Sequence, residues 1–352
     1  MDELHFMKGN EAAAEAAIRA GCKGYFFYPL TPSSEIGEYM AVHLSKRNGG
    51  KFVQAESEVA AINMMFGGAS TGTRVMTGTS GCGYSLMSEG ISYMTGAEVP
   101  AVIVDVMRGG PGLGSLEPTQ ADYNQVTRGT GHGGHMFPVF APSNAQEIVD
   151  NVTEAFEVSE RYRTPVVVLY DGCTGQVMEK VRFPEDQEAP AENSWAFTDG
   201  RGRERRVLRS GYAAQIPGHW KHLFEKYDRM KAELQRYESY LCEDADIILV
   251  AFGIVARICR SVVNQARAEG LRVGMIRPTI ISPFPEKAFE PYRGTGTQFL
   301  TVEMSYGEMV HDVTVAVGDA SRSHFYRNEF GSRPSAGEIL EAVRRMSEEA
   351  AR

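Results

Sequence analysis

Four short apolar runs constrain this chain more than any other feature. They are "GYFFYP" (24–29), "TRVMTG" (73–78), "PAVIVDVM" (100–107) and "PVVVLYD" (165–171). None is long enough for an ordinary helix, and the longer two lack the polar–apolar alternation of a half-buried strand. Strands covered on both faces read as such runs, which is the mark of a parallel sheet wrapped in helices. Helical patterns fill the gaps: "SSEIGEYMAVHLSKR" after the first run, "SEVAAINMMFGGAS" after the short strand "KFVQAE", "YSLMSEGISYMTGAE" before the third, and "NAQEIVDNVTEAFEVSERY" after "HMFPVFAP". In the first of these helices Ser33 or Ser34 is the N-cap candidate, with acidic residues in the first turns. The second is apolar nearly all round and is expected to be deeply buried.

Length and composition extend the argument. At 352 residues, two domains with substantial cores are favoured over one large α/β domain. Residues 181 to about 206 are polar and charged, and carry prolines and glycines, as a linker would. "HWKHLFEKYDRMKAELQRYESYLCED" then reads as one long charged helix with the apolar stripe Trp220, Leu223, Tyr227, Met230, Leu234, bridging domains or packing on a partner. A second α/β unit follows in "ADIILVAFG", "IVARICRSVVNQARAEG", "LRVGMIRP" and "QFLTVEMS", then a helix from about Tyr306 and another at the C-terminus. The expected division is residues 1–190, a linker with the long helix at 191–244, and residues 245–352.

A net charge of −9 argues against nucleic acid and against an anionic membrane surface. No apolar run approaches a membrane span, the N-terminus lacks the cationic start and apolar core of a signal peptide, and a cytoplasmic location is expected. The five cysteines, Cys22, Cys82, Cys173, Cys242 and Cys259, are odd in number, widely spaced and without a CxxC. They make neither a disulfide framework nor a zinc or iron–sulfur site, and each reads as a small buried hydrophobe.

Three glycine-rich segments, "GTSGCGYS" (78–85), "GGPGLGS" (109–115) and "GTGHGGH" (129–135), fall where βα loops are expected. None is the dinucleotide fingerprint opening a helix, and no GxxxxGK[ST] occurs, so nicotinamide and nucleoside-triphosphate chemistry is weakly supported. As tight loops at the C-terminal edge of a sheet they suggest a crevice, because open α/β sheets bind ligands there. "GTSGCGYS" also opens a helix whose N-terminal amides suit an anion or a polar ring. Glu58 opens the apolar helix at 57–70. It is either a first-turn glutamate favoured by the helix dipole, or a carboxylate in low dielectric suited to proton exchange with a heterocycle. Glu56 is expected to be exposed. Arg108 ends the third run and is either a solvated loop residue or a clamp for a carboxylate or phosphate. Thr31 occupies the matching edge position after "FFYPL". His132 and His135 lack a third ligand, so no metal site is expected there.

Together, "YPLTPSSEI", the block from "QAESEVAAINMMFGGAS" through "GTSGCGYS" to "VMRGGPGLGS", and "VEMSYGEMVHDV" resemble the α subunit of the thiamine diphosphate-dependent 2-oxoacid:ferredoxin oxidoreductases. The resemblance covers essentially the whole chain. It implies a pyrimidine-binding domain of thiamine-enzyme type followed by a transketolase C-terminal-like domain. It also implies oxidative decarboxylation of a 2-oxoacid, with electrons passed to iron–sulfur clusters and ferredoxin and the acyl group to coenzyme A. Family roles then fall on matching positions. Glu58 matches the glutamate that hydrogen-bonds N1′ of the aminopyrimidine. Thr31 and Arg108 match the residues that contact the substrate carboxylate, and Ser80, Gly81 and Gly83 match the loop beside the cofactor. The GDG motif with its later asparagine, which holds the diphosphate through Mg2+, is absent, so a β subunit is expected to bring Mg2+ and an iron–sulfur cluster. Smaller γ and δ subunits, if present, would bring the rest, and the chain alone is expected to be inactive.

The stretch after Arg108, "GGPGLGSLEPTQADYNQVT", carries Glu117 and Asp122 but no lysine or arginine before Arg128. A distal substrate carboxylate would lack a cation there, whereas Leu113 or Leu116 suits an apolar side chain. A branched-chain substrate such as 2-oxoisovalerate is favoured over 2-oxoglutarate. The competing readings are a 2-oxoglutarate-type subunit, another split thiamine-dependent transferase, and a non-catalytic assembly paralogue.

Overall fold

The computed structural model describes residues 4–189, 193–197, 217–328 and 332–350. Six strands of the first half are β2 (Gly24–Phe27), β3 (Lys51–Gln54), β4 (Val75–Thr79), β5 (Ala101–Met107), β6 (Val139–Phe140) and β7 (Pro165–Asp171). They form a parallel sheet in the order β6-β7-β5-β4-β2-β3. A seventh strand, β12 (Ile280–Ser282), comes from the second half and pairs antiparallel with β6 at the edge.

Both faces are covered, as the continuous apolar runs required. In β5, Val102, Val104 and Val106 face one core with α1 (Gly9–Arg19), α2 (Ser34–Asn48) and α6 (Ala145–Tyr162). Ala101, Ile103 and Met107 face the other, with α3 (Glu58–Ser70) and α4 (Gly81–Gly96). Strand alternation puts Asp105 on this second face, fully buried. The inner side of α3 is buried as expected, but its outer side is not: Val59 and Met64 are exposed, as are Leu86 and Tyr93 on α4. The α3–α4 pair thus presents an uncovered apolar face.

The second half is a five-stranded sheet, in the order β14-β13-β10-β11-β9. Its strands are β9 (Tyr237–Tyr240), β10 (Ile247–Val250), β11 (Val273–Pro278), β13 (Gln298–Glu303) and β14 (Ser323–Arg327), with only β9 antiparallel. Helices α9 (Gly253–Ala268) and α11 (Ala336–Ala350) cover one face, and α10 (Met309–Val317) lies on the other. Between the halves, α5 (Tyr123–Thr127) places Tyr123 and Val126 in an apolar cluster continuous with Phe252, Phe299 and Met309.

Three expectations are corrected. The long helix stops early: α8 is His219–Glu233, and "YESY" is strand β9. Its stripe packs on the first half, where Leu223, Tyr227, Met230 and Leu234 join the α1–α2–α6 core, while Trp220 stays exposed. Ser33 is the residue before α2, yet its hydroxyl donates to the Leu30 carbonyl at 2.7 Å and caps nothing, and Ser34 lies within the helix. Cys82 and Cys173 are only half-buried. Part of the expected linker, residues 190–192 and 198–216, lies outside the described residues. No helix among the described residues is long and apolar enough to cross a membrane.

Candidate active site

The parallel strands β2, β4 and β5 end at one edge of the sheet. There they deliver, in turn, the segment to Thr31, the Ser80–Gly83 turn and Arg108. The extended segment after β3 delivers Glu58 to the same edge. Ser57 caps α3 by accepting the Ala60 amide at 3.2 Å, so Glu58 is the first helical residue. Its carboxyl is nearly buried, with 5% of the residue exposed. No hydrogen-bond donor among the described residues reaches it. Glu56 is exposed, as expected.

Gly83 explains how the Glu58 carboxyl fits. A Cβ at Gly83 would lie 2.4 Å from Thr79 Oγ1, 2.7 Å from Leu30 Cδ2 and 2.8 Å from Glu58 Oε1. The missing side chain lets Thr79, Leu30 and the Glu58 carboxyl close in on the backbone at 83, two polar neighbours and one apolar. Thr79 Oγ1 and Ser80 Oγ are both buried without a partner, and Ser80 precedes α4 without capping it by side chain. Buried polar atoms are normally paired. A carboxyl without a protein partner, two orphaned hydroxyls and the N-terminus of α4 at one sheet edge are the donor and acceptor set for a flat heterocycle.

Arg108 is neither solvated nor open. Its residue is 4% exposed. Nη1 donates to the Thr31 carbonyl at 2.8 Å, and Nη2 donates to the Leu113 carbonyl at 2.7 Å and to Cys82 Sγ at 3.1 Å. These three bonds leave donors over from the five of a guanidinium, and Nε is buried with no partner. Thr31 and Arg108 are therefore brought together, but through the threonine backbone; the residue itself is exposed. Leu113 and Leu116 beside them stand 78% and 64% exposed.

Sequence reasoning missed the carboxyls behind this arginine. Asp105 and Asp122 are buried at 0% and 6% exposure. Burial pushes both well above the usual carboxylate range, and the charge of Asp122 adds to the rise at Asp105. Asp122 Oδ2 accepts the Arg108 amide at 3.3 Å. Gln125 Nε2 donates to the Gly81 carbonyl at 2.8 Å, and its Oε1 accepts from Ser85 Oγ at 2.6 Å. A signal for Asp105 existed: it is the lone charge in an otherwise apolar strand. Cys82 was read as an inert core residue, and its contact with Arg108 was not legible.

Not every candidate loop belongs here. Of the three glycine-rich segments, 78–85 and 109–115 converge on Arg108, whereas 129–135 packs along the later turns of α4, where Ser92 Oγ donates to the His132 carbonyl. His135 Nδ1 contacts the His132 carbonyl at 2.9 Å, its ring stacks on Phe137, and burial lowers its pKa. No group of three or more His, Cys, Asp or Glu that could hold a metal occurs among the described residues. A cavity of about 790 Å3 lies elsewhere, lined by residues that include His135, Tyr227 and Lys231 and by none of the residues around Glu58.

Comparison with known proteins gives the family. The family described as "Pyruvate flavodoxin/ferredoxin oxidoreductase, thiamine diP-bdg" matches residues 15–241, and "Pyruvate:ferredoxin oxidoreductase core domain II" matches residues 245–339. A ketoisovalerate oxidoreductase subunit VorB of Methanothermobacter thermautotrophicus is 48% identical, over 89% of this chain and 89% of its own length. A 2-oxoglutarate synthase subunit KorA of Methanothermobacter marburgensis is 35% identical, over 89% of this chain and 91% of its own length. Among solved structures, a 2-oxoglutarate:ferredoxin oxidoreductase from Magnetococcus marinus superposes with a TM-score of 0.87 at 24% identity, over 98% of this chain. This chain spans 65% of that longer one. A split-gene transketolase gives a TM-score of 0.59 at 15% identity, over 97% of this chain and 98% of its own, which is a likeness of fold. With two matching family models in sequence order and relatives similar along nearly their whole length, the chain belongs to the 2-oxoacid:ferredoxin oxidoreductases, as an α-type subunit with the family's thiamine diphosphate-binding domain.

Proposed function

We propose that this chain is the α subunit of a branched-chain, 2-oxoisovalerate-type enzyme. In this reading residues 1–190 carry its half of the thiamine site and residues 245–352 form the transketolase-like second domain. The observation that carries the reading is the bare, nearly buried Glu58 carboxyl set against Gly83. The residues present fit an aminopyrimidine: a carboxyl without a protein partner for a ring nitrogen, orphaned hydroxyls at Thr79 and Ser80, and a glycine at 83, where any larger residue would press on that carboxyl. Thiamine diphosphate, when bound, supplies the electron sink through which a 2-oxoacid loses carbon dioxide.

This chain's residues do the rest of its half of the work. Glu58 would hold N1′ of the bound ring and exchange a proton with it, a kind of general acid–base catalysis worth about 10²–10⁴-fold. Arg108 offers its unused N–H donors to the substrate carboxylate, and the Thr31 hydroxyl stands at the same edge. Ser80, Gly81 and Gly83 would line the cofactor ring. A β subunit brings the diphosphate and Mg2+ half-site and an iron–sulfur cluster, with γ and δ subunits where present. Coenzyme A takes the acyl group and ferredoxin the electrons.

The branched-chain assignment draws on the loop after Arg108. Its first cation, Arg128, is paired with Asp312, so the loop has no free cation for a distal carboxylate. Leu113 and Leu116 are exposed and apolar. Similarity to the ketoisovalerate subunits exceeds that to the 2-oxoglutarate subunits by 13 percentage points, 48% against 35%. The test is turnover by the co-purified complex on 2-oxoisovalerate, 2-oxoglutarate and pyruvate, with Glu58→Gln as control. The branched-chain acid should be preferred, and the Glu58→Gln complex should lose about 10²-fold or more. Strong preference for 2-oxoglutarate would sink the substrate reading, and an unimpaired Glu58→Gln complex the catalytic one.

A further inference from the structure

Residues 119–128 form a strap between the halves, and its two sides face different tasks. Toward the second half, Gln120 is bonded at three points: its amide to the Met304 carbonyl at 2.8 Å, its Oε1 from the Met304 amide at 3.0 Å, and its Nε2 to the Phe252 carbonyl at 3.0 Å. Tyr123 donates its hydroxyl to Asp312 Oδ2 at 2.5 Å, and its ring lies 5.7 Å from that of Phe252. The Asn124 amide donates to Glu308 Oε2 at 2.6 Å, and Arg128 pairs with Asp312. Toward the first half, Asp122 receives the Arg108 amide, while Gln125 holds the Gly81 carbonyl and Ser85. The residues gripped by the second half therefore alternate with the residues that touch the site.

We propose that this strap is how the second half of the chain positions the substrate arginine and the first turn of α4, with Asp122 as the positioning residue. The inference rests on the reading of Arg108 as the substrate carboxylate's partner. The Arg108 side chain is already tied at its tip to the Thr31 and Leu113 carbonyls. What those bonds leave free is its root, where β5 ends, and Asp122 fixes the root. Gly81 lies against the same carboxyl: a Cβ there would be 3.6 Å from Asp122 Oδ1 and 3.5 Å from Arg108 Cγ. One side chain thus sets the spacing between the arginine and the cofactor loop. Misplacing a binding group by about 1 Å costs on the order of 10²-fold in rate, so a strap of this kind acts on the reaction without touching substrate. Asp122 is not placed among the groups that react.

The experiment is steady-state kinetics on the assembled complex, with KM for the 2-oxoacid and for coenzyme A measured separately. Asp122→Ala should raise the 2-oxoacid KM about tenfold, the scale of one lost bond to a charged group, and leave the coenzyme A KM unchanged. Asp122→Asn, which retains an acceptor for the Arg108 amide, should restore most of the loss. Tyr123→Phe, which loosens only the outer grip, should shift the same constant in the same direction by less. It carries the test if Asp122→Ala fails to assemble. Equal changes in both KM values, or no change with either Asp122→Ala or Tyr123→Phe, would overturn the strap. Arg108→Met separates the two levels. If it raises the 2-oxoacid KM while the strap variants do not, the strap alone is wrong; if it has no effect, the substrate reading falls first.

Discussion

Glu58 shows how much one position can ask of its neighbours. The residue is only 5% exposed, its carboxyl has no protein partner, and Gly83 makes room for it. Gly83→Ala is the sharpest probe of that arrangement. The new methyl would meet Thr79 Oγ1, Leu30 Cδ2 and Glu58 Oε1, all under 3 Å. All three side chains, Glu58 among them, must shift to admit it. Stability should fall by roughly 1–3 kcal/mol, the usual scale of overpacking. Turnover by the complex should fall as far as in Glu58→Gln, and a Gly83→Ala complex with normal turnover would refute this account. At this scale the sequence was readable for position: Glu58, Gly81 and Gly83 each lie in the opening turn of a helix where a strand of the sheet ends, as the pattern of runs required. It was unreadable where the partner is remote. Nothing local says that Arg108 hands its amide to Asp122, or that Thr31 meets Arg108 by its carbonyl.

At the scale of elements, legibility followed burial. The runs at 101–107 and 165–171 are strands because only a covered strand is so continuously apolar. The short pair β1 (His5–Lys8) and β8 (Met178–Val181), together with β14, went unread because each is partly exposed and mixed in character. β9 reads as helix in the sequence because the stripe of α8 runs into it without a breaker. The start of α10 carries a prediction of its own. Glu308 sits there, caught between Glu303, Asp122 and Arg128, and burial chiefly pushes it up to about 7 from its ordinary 4.5. The folded chain then holds a proton that the unfolded chain releases earlier. This contribution to stability is whole below the ordinary value and is lost as pH rises through about 7. Asp105, Asp122 and Glu303 are raised as well, so they act in the same sense. Thermal unfolding followed between pH 5 and 8 should show a melting temperature that falls with pH, and Glu308→Gln should flatten the slope. A slope unchanged in Glu308→Gln would remove Glu308 from the account.

At the scale of the whole molecule, the apolar side of α3 and α4 flanks Glu58 and is left uncovered. Exposed apolar patches beside a functional site mark interaction surfaces. The proposed β subunit, with the diphosphate half-site, is the occupant that would both cover this face and complete the pocket. Val59→Asp should leave the melting temperature of the separate chain near its original value, because Val59 is exposed. The same change should abolish co-purification with the partner subunit and with it all turnover. Intact assembly of the Val59→Asp protein would move the interface elsewhere.

The pairing of β12 with β6 bears on how such a chain can be cut and recombined. The two family models meet between residues 241 and 245, where the text of the sequence invites a division. Yet Ile280 and Ser282, well beyond that point, close the edge of the first sheet. A piece ending at the textual boundary would carry β6 with its hydrogen-bonding edge bare, the kind of edge that recruits strands from other molecules. Exchanging second halves between relatives would therefore also exchange the hem of the first. In this protein the unit that can be inherited or swapped intact is the whole chain, although its sequence is written as two.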